Sequence, residues 1–104
     1  MKKISAKSIN LDVLLDGLYE ESFKGLNEIS IKGISLDSRE IYENFLFFAL
    51  KGEKLDGNDF INDALIKGAA LVLTDNKGLT GSKVLYIPDL RESLGIICSR
   101  FYEI

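Results

Sequence analysis

Residues 36–57 read LDSREIYENFLFFALKGEKLDG and decide the fold of this chain. The stretch contains an extended segment ending in Asp37-Ser38-Arg39, then a turn, an apolar run at residues 45–50, and a polar loop at residues 51–57. An apolar run without polar alternation is typical of a strand that is buried on both faces of a sheet. We therefore expect a central strand at residues 45–50. The two loops should meet at one edge of the sheet, where they can grip a polar ligand.

The segments before this stretch change from helical to strand periodicity. Leucines follow Asn10, a suitable N-cap, at helical spacing over residues 11–18. Apolar and polar residues then alternate over residues 29–36, which predicts a half-buried strand. Because Asn tolerates positive φ, Asn44 predicts a turn before the central strand.

The second half of the chain has the pattern of a strand-helix-strand crossover. Asn58 or Asp59 can cap a helix that ends at Gly68, and residues 71–73 follow as a short apolar strand. A unit of this size joins parallel strands. Residues 84–87 predict a last strand before a final helix. The apolar positions of the two helices are Phe60, Ile61, Ala64 and Leu65, and then Leu90, Leu94, Ile97, Cys98 and Phe101. The pattern predicts one α/β domain with a mixed sheet and flanking helices.

Composition excludes several classes of function. The chain has 104 residues with 13 Lys and Arg against 16 Asp and Glu, and no basic block that would bind nucleic acid. It has one cysteine and no histidine, so an internal disulfide is impossible and a zinc site is not expected. Without histidine or a GxxxxGK[ST] phosphate loop, no catalytic residue is predicted, and binding is the better class. Polar residues interrupt the apolar N-terminal stretch, so we expect a cytoplasmic protein without a signal peptide or membrane span.

The candidate binding residues each have a structural alternative. The Ser38 hydroxyl could donate to a phosphate or a pyrimidine carbonyl, but spacing favours a turn in which it and Asp37 bond their own backbone. Arg39 could clamp an anion, although an ion pair with a nearby acid such as Asp37 is preferred. The loop at residues 51–57 could offer backbone N–H groups and two lysines to an anion, or be an ordinary connection. Cys98 is interpreted as a packed thiol rather than a nucleophile.

The order of these motifs resembles the N-terminal domain of the Mur ligases, over residues 31–102. The motifs that carry the resemblance are Leu36-Asp37-Ser38-Arg39, Leu46-Phe47-Phe48-Ala49-Leu50, Lys51-Gly52, Asp56-Gly57, Asp59-Phe60-Ile61, Ala64 and Lys67-Gly68-Ala69-Ala70. The ending Ile87-Pro88-Asp89-Leu90-Arg91 with Phe101-Tyr102 is most similar to the member that adds the third amino acid. Asn44 stands where the family usually has Gly, and Asn58 where it often has His.

The resemblance implies that residues 1–104 are a substrate-binding domain, without the central ATPase and C-terminal domains of the parent ligase. In the parent, ATP and Mg²⁺ would drive addition of diaminopimelate, lysine or a similar amino acid to UDP-MurNAc-L-Ala-D-Glu during peptidoglycan synthesis, while this part binds neither. The partners implied are that substrate and the missing domains. The residues implied to contact the UDP moiety are Leu36, Ser38, Glu53, Lys54 and Leu55.

Two other interpretations stay open at this point. The D-alanyl-D-alanine-adding member of the family has a similar Asp-Ser-Arg and Asp-Gly pattern, although Arg91 and Phe101-Tyr102 argue against it. A stand-alone interaction domain would use the same fold without binding any nucleotide.

Overall fold

The computed structural model describes residues 8–20 and 23–102. The first seven residues, which bear on the prediction about a signal peptide, lie outside this part. The strands are β1 (Ile9–Asn10), β2 (Ser30–Ile31), β3 (Gly33–Ser35), β4 (Phe45–Ala49), β5 (Leu71–Thr74) and β6 (Val84–Tyr86). The α-helices are α1 (Leu11–Leu14), α2 (Ile61–Ile66) and α3 (Leu90–Tyr102), and the 3₁₀ turns are Leu26–Glu28, Ser38–Glu40 and Gly57–Phe60.

The main sheet has four strands in the order β3-β4-β5-β6, and all neighbouring pairs are parallel. Strands β1 and β2 form a separate antiparallel pair. The predicted α/β fold with flanking helices is confirmed, and its antiparallel component lies in this small second sheet. All five residues of β4 are buried, as expected for the central strand.

The two faces of the main sheet pack against different helices. Because side chains alternate along a strand, Leu46 and Phe48 face the leucines of α1 and the apolar stripe of α3. Phe45 and Phe47 point the other way, into a core that includes Ala64 of α2. The sheet is therefore covered on both faces, which explains why β4 shows no polar alternation.

The helix predicted over residues 11–18 is much shorter than expected. It ends at Leu14, and Gly17 has a φ of 78° that turns the chain. Asn10 does not cap α1 through its side chain. Its amide instead donates to the Asn27 carbonyl at 2.6 Å and accepts from the Ser30 hydroxyl at 2.6 Å. Asn10 thus joins β1 to the segment that precedes the main sheet.

The turn predicted at Asn44 is confirmed, since its φ is 68°. The Asn44 N–H donates to the Gly68 carbonyl at 2.9 Å. Gly68 has a φ of 109°, and a Cβ there would lie 2.8 Å from the Cα of Glu43. These two turns pack together at the amino end of β4, opposite the carboxyl edge of the sheet. In the part of the chain that the structure describes, no helix has the length and apolar character needed to cross a bilayer.

Candidate functional site

A cleft of about 560 Å³ lies at the carboxyl ends of β3 and β4. Its volume is in the range of small-molecule sites, and the carboxyl ends of parallel strands are where α/β sheets bind ligands. Three segments form it: the loop after β3, the end of β4 with the chain that follows, and the start of α3. The lining residues are Leu36, Asp37, Ser38, Arg39, Phe47, Phe48, Leu50, Gly52, Leu55, Gly57, Phe60 and Arg91.

Asp37 organises the loop after β3. Its carboxylate accepts the Arg39 backbone N–H at 2.9 Å, which caps the 3₁₀ turn Ser38–Glu40. It also accepts two bonds from the Arg39 guanidinium, at 3.0 Å from Nε and 2.8 Å from Nη2. The side-chain bond from Arg39 is the main cause that lowers the pKa of Asp37 to about 2. The ion pair favoured by the sequence is present, and the charge of Arg39 is matched by its neighbour.

Ser38 lies in the wall of the cleft, beside Asp63 of α2. The residue is buried, and its side chain lies near enough to the Asp63 carboxylate of α2 to help lower the pKa of that acid. Lys67 Nζ lies 3.2 Å from the Asp63 carboxylate and 3.3 Å from the Ser38 carbonyl. The bond from Lys67 is the larger cause of the lowered pKa of Asp63. Asp37 bonds its own backbone as the sequence favoured, whereas residues 8–20 and 23–102 show no bond from the Ser38 hydroxyl to the backbone. The i,i+4 spacing of Asp63 and Lys67 is a signal that the sequence analysis did not use.

Loop 51–57 is a closed hairpin rather than an open connection. The Gly52 N–H donates to the Leu55 carbonyl at 2.9 Å, and the Gly57 N–H donates to the Leu50 carbonyl at 2.7 Å. A Cβ on Gly57 would lie 2.8 Å from both the N and the O of Leu50, so this position requires glycine. Of the loop N–H groups that the sequence offers to an anion, those of Gly52 and Gly57 are therefore engaged. Within residues 8–20 and 23–102, the N–H groups of Glu53, Lys54 and Leu55 form no hydrogen bond.

The structure brings only part of the predicted site into the cleft wall. Leu36, Ser38 and Leu55 line it, whereas Glu53 and Lys54 are exposed on the hairpin beside it. Leu36 is 50% exposed and Leu55 is 70% exposed. Phe60, expected to face the core of the second helix, belongs to the 3₁₀ turn before α2 and is 38% exposed in the cleft. These three apolar side chains give the cleft a surface suited to a flat ring.

A polar network fixes the hairpin to β5. The Asn58 amide donates to Asp56 Oδ1 at 2.8 Å and to Asp75 Oδ1 at 2.9 Å. The Thr74 hydroxyl forms a hydrogen bond with the Asn58 side-chain oxygen. Asp75 Oδ2 accepts the Lys51 backbone N–H at 2.9 Å. Asn58, noted in the sequence only as a departure from a family pattern, is the centre of this network.

Arg91 reaches the hairpin from the first turn of α3. Its Nη2 donates to the Lys51 carbonyl at 2.8 Å, and the side chain lines the cleft. Both backbone polar groups of Lys51 are thus bound by side chains from distant segments, Asp75 on one side and Arg91 on the other. Sequence reasoning used Arg91 only as part of a motif, because nothing local indicates a contact with Lys51.

Among the residues that the structure describes, no group of three or more acidic, His or Cys side chains could hold a metal ion. The sequence also lacks the GxxxxGK[ST] loop that cradles nucleoside triphosphates. What the cleft offers is an apolar surface, unengaged backbone donors and basic side chains, which are features of a binding site.

Residues 30–102 match the family model described as the Mur ligase family, catalytic domain. A UDP-N-acetylmuramoyl-L-alanyl-D-glutamate–2,6-diaminopimelate ligase of Rickettsia prowazekii is 49% identical over 73 residues, which cover 69% of this chain and 15% of that protein. A ligase of the same name, numbered 2, from Clostridium acetobutylicum is 32% identical over 98 residues, which cover 91% of this chain and 20% of that protein. The chain therefore spans about a fifth or less of the length of these relatives.

Solved structures show the same fold. A UDP-N-acetylmuramoyl-L-alanyl-D-glutamate–2,6-diaminopimelate ligase superposes with a TM-score of 0.71 at 22% identity, covering 91% of this chain and 19% of that one. The MurF ligase of Thermotoga maritima, in complex with ADP, has a TM-score of 0.58 at 28% identity and covers 64% of this chain and 16% of that one. Because the family model matches 73 of the 104 residues, the chain belongs to the Mur ligase family.

Proposed function

We propose that this chain is the N-terminal substrate-binding domain of a tripeptide-forming Mur ligase, and that the cleft binds the UDP end of UDP-MurNAc-L-Ala-D-Glu. The observation that carries the proposal is that the loop after β3 and loop 51–57 line one cleft at the carboxyl edge of the sheet. Relatives named as diaminopimelate ligases reach 52% identity over 73 residues, which supports diaminopimelate as the amino acid added by the parent enzyme.

Each end of a uridine diphosphate has a suitable partner in this cleft. The exposed surfaces of Leu36, Leu55 and Phe60 can pack against the uracil and ribose rings. The N–H groups of residues 53–55 can donate to phosphate oxygens, as successive backbone amides do in other anion sites. Glu53 is exposed, so its carboxylate can stay in water while its backbone faces the phosphate.

Ser38 can offer its backbone to the ligand as well as its hydroxyl. The hydroxyl lies beside the Asp63 carboxylate and helps to lower the pKa of that acid. The Ser38 backbone N–H forms no bond in the part of the chain that the structure describes, and it stands at the start of a 3₁₀ turn. We therefore assign one contact with the ligand to the backbone N–H of Ser38, in addition to the contact of its side chain.

The parent enzyme would be a cytoplasmic, ATP-dependent and magnesium-dependent amide-bond ligase of peptidoglycan synthesis. The chain described here contributes recognition, through the cleft at the carboxyl edge of the sheet. The D-alanyl-D-alanine-adding ligase is the second candidate, supported by a structural neighbour at 28% identity. Identities of 32–52% to diaminopimelate ligases favour the tripeptide-forming enzyme.

The test is a titration of the 104-residue chain with UDP, followed by amide chemical shifts in ¹H–¹⁵N spectra. We expect shift changes concentrated at residues 36–38 and 53–55. ADP is the matched control, since it has the same diphosphate but a larger base, which should not fit the surface that contacts uracil. Absence of shift changes at both segments, or equal changes with ADP, would contradict the proposed function and favour a stand-alone interaction domain.

A further inference from the structure

Two arginines line the cleft, and they differ in how their charge is matched. Arg39 forms a two-bond ion pair with Asp37, at 2.8 Å between Nη2 and Oδ2. Arg91 donates to a neutral acceptor, the Lys51 carbonyl, and forms no ion pair with any carboxylate in residues 8–20 and 23–102. The positive charge of Arg91 is therefore not neutralised by an adjacent acid, whereas that of Arg39 is.

The position of Arg91 suits an anion that also meets loop 51–57. A guanidinium has five N–H donors in a planar fork, and the bond to the Lys51 carbonyl uses one of them. That carbonyl directly precedes Gly52 and the unengaged N–H groups of residues 53–55. Arg91 and the hairpin residues Gly52 and Leu55 line the same cleft, although they come from two segments that are far apart in the sequence. Such a fork matches the paired oxygens of a phosphate better than an ammonium does.

We propose that Arg91 binds the diphosphate of the uridine nucleotide, in addition to holding the Lys51 carbonyl in place. This inference rests on the proposed function, since it assigns one residue to one part of the same ligand. It also predicts how the affinity divides: the apolar surface of the cleft binds the nucleoside, and Arg91 with the amides of loop 51–57 binds the phosphates.

The experiment compares uridine, UMP and UDP as ligands of the 104-residue chain and of Arg91→Gln, in EDTA to exclude metal effects. Dissociation constants come from amide shifts, and the undisturbed remainder of each spectrum verifies folding. Loss of a charge-assisted bond in a partly exposed cleft should weaken UDP binding about tenfold, or about 1.4 kcal/mol. Uridine affinity should change less than about twofold, and Arg91→Lys should retain part of the UDP affinity because it keeps the charge.

Lys32→Gln is the matched control, because it also removes one positive charge but lies before β3 at the opposite edge of the sheet. It should leave UDP affinity within about twofold, since screening weakens charge effects beyond roughly 10 Å. An equal loss of uridine and UDP affinity in Arg91→Gln would show that Arg91 only positions the loop, and would overturn the inference. A wild-type chain that binds neither uridine nor UDP would instead overturn the proposed function.

Discussion

Replacing Gly57 by alanine should destabilise the protein and deform the wall of the cleft. A Cβ at this position would lie 2.8 Å from the N and the O of Leu50 and 3.3 Å from the Cα of Ala49. All three atoms belong to the backbone at or just after the end of β4, a buried strand that pairs with β3 and β5. The clash therefore cannot be relieved by rotating a side chain, and the hairpin must move away from β4.

The expected cost follows from two contributions. Overpacking in a closely packed region costs about 1–3 kcal/mol, and losing the 2.7 Å bond from the Gly57 N–H to the Leu50 carbonyl costs about 1 kcal/mol. We expect a loss of about 2–4 kcal/mol in the free energy of unfolding. For a domain of this size, that is a fall of roughly 8–16 °C in Tm.

The assay is thermal unfolding followed by circular dichroism, with Gly95→Ala as the control. Gly95 lies on the exposed side of α3, and a Cβ there would meet no atom within 4 Å. Alanine is a better helix former than glycine by roughly 0.5–1 kcal/mol, so the same substitution should raise Tm at this position. A Gly57→Ala protein with a wild-type Tm and unchanged amide shifts at residues 50–57 would refute the reasoning.

Three further substitutions or treatments test other parts of the structure. Because its pKa is lowered from 3.8 to about 2, Asp37 should stabilise the fold above about pH 4 and lose that effect as the pH falls toward 2; urea unfolding of Asp37→Asn across this range should show a smaller loss. Asn58→Ala should cost about 1–3 kcal/mol in urea unfolding, because it leaves the buried Thr74 hydroxyl without its side-chain partner, whereas Lys77→Ala on the neighbouring exposed loop should be close to neutral. Burial raises the pKa of the Cys98 thiol, so the native protein should react with a thiol reagent at pH 8 more slowly than the urea-unfolded chain. Equal rates would contradict the packing of Cys98 against the hydrophobic core.

The sequence predicts the elements of this fold whose causes are local. The central strand is evident because residues 45–50 have no polar alternation, and the turn at Asn44 because few other residues tolerate its φ of 68°. The predicted length of α1 was wrong, because the leucine spacing continues past Gly17 whereas the helical backbone ends at Leu14. Local spacing describes which face is apolar, and it does not say where the chain must turn to close the core.

The candidate site is less predictable because its contacts join distant segments. The Ser38 side chain lies beside Asp63, on a helix that packs on one face of the sheet. Phe60 was misassigned because a 3₁₀ turn and an α-helix differ by only a small change in backbone rotation, which is enough to move that ring from the core into the cleft. Side-chain roles of this kind depend on tertiary placement, which periodicity does not contain.

The anchoring of Lys51 has a consequence for how the molecule acquires its binding ability. The two side chains that hold its backbone come from positions 24 and 40 residues later in the chain. Closing such long segments costs more chain entropy than forming the hairpin itself, so the hairpin can form early while its orientation is set late. Affinity for a nucleotide should therefore emerge only when α3 has docked, and during refolding it should report the last event rather than the first.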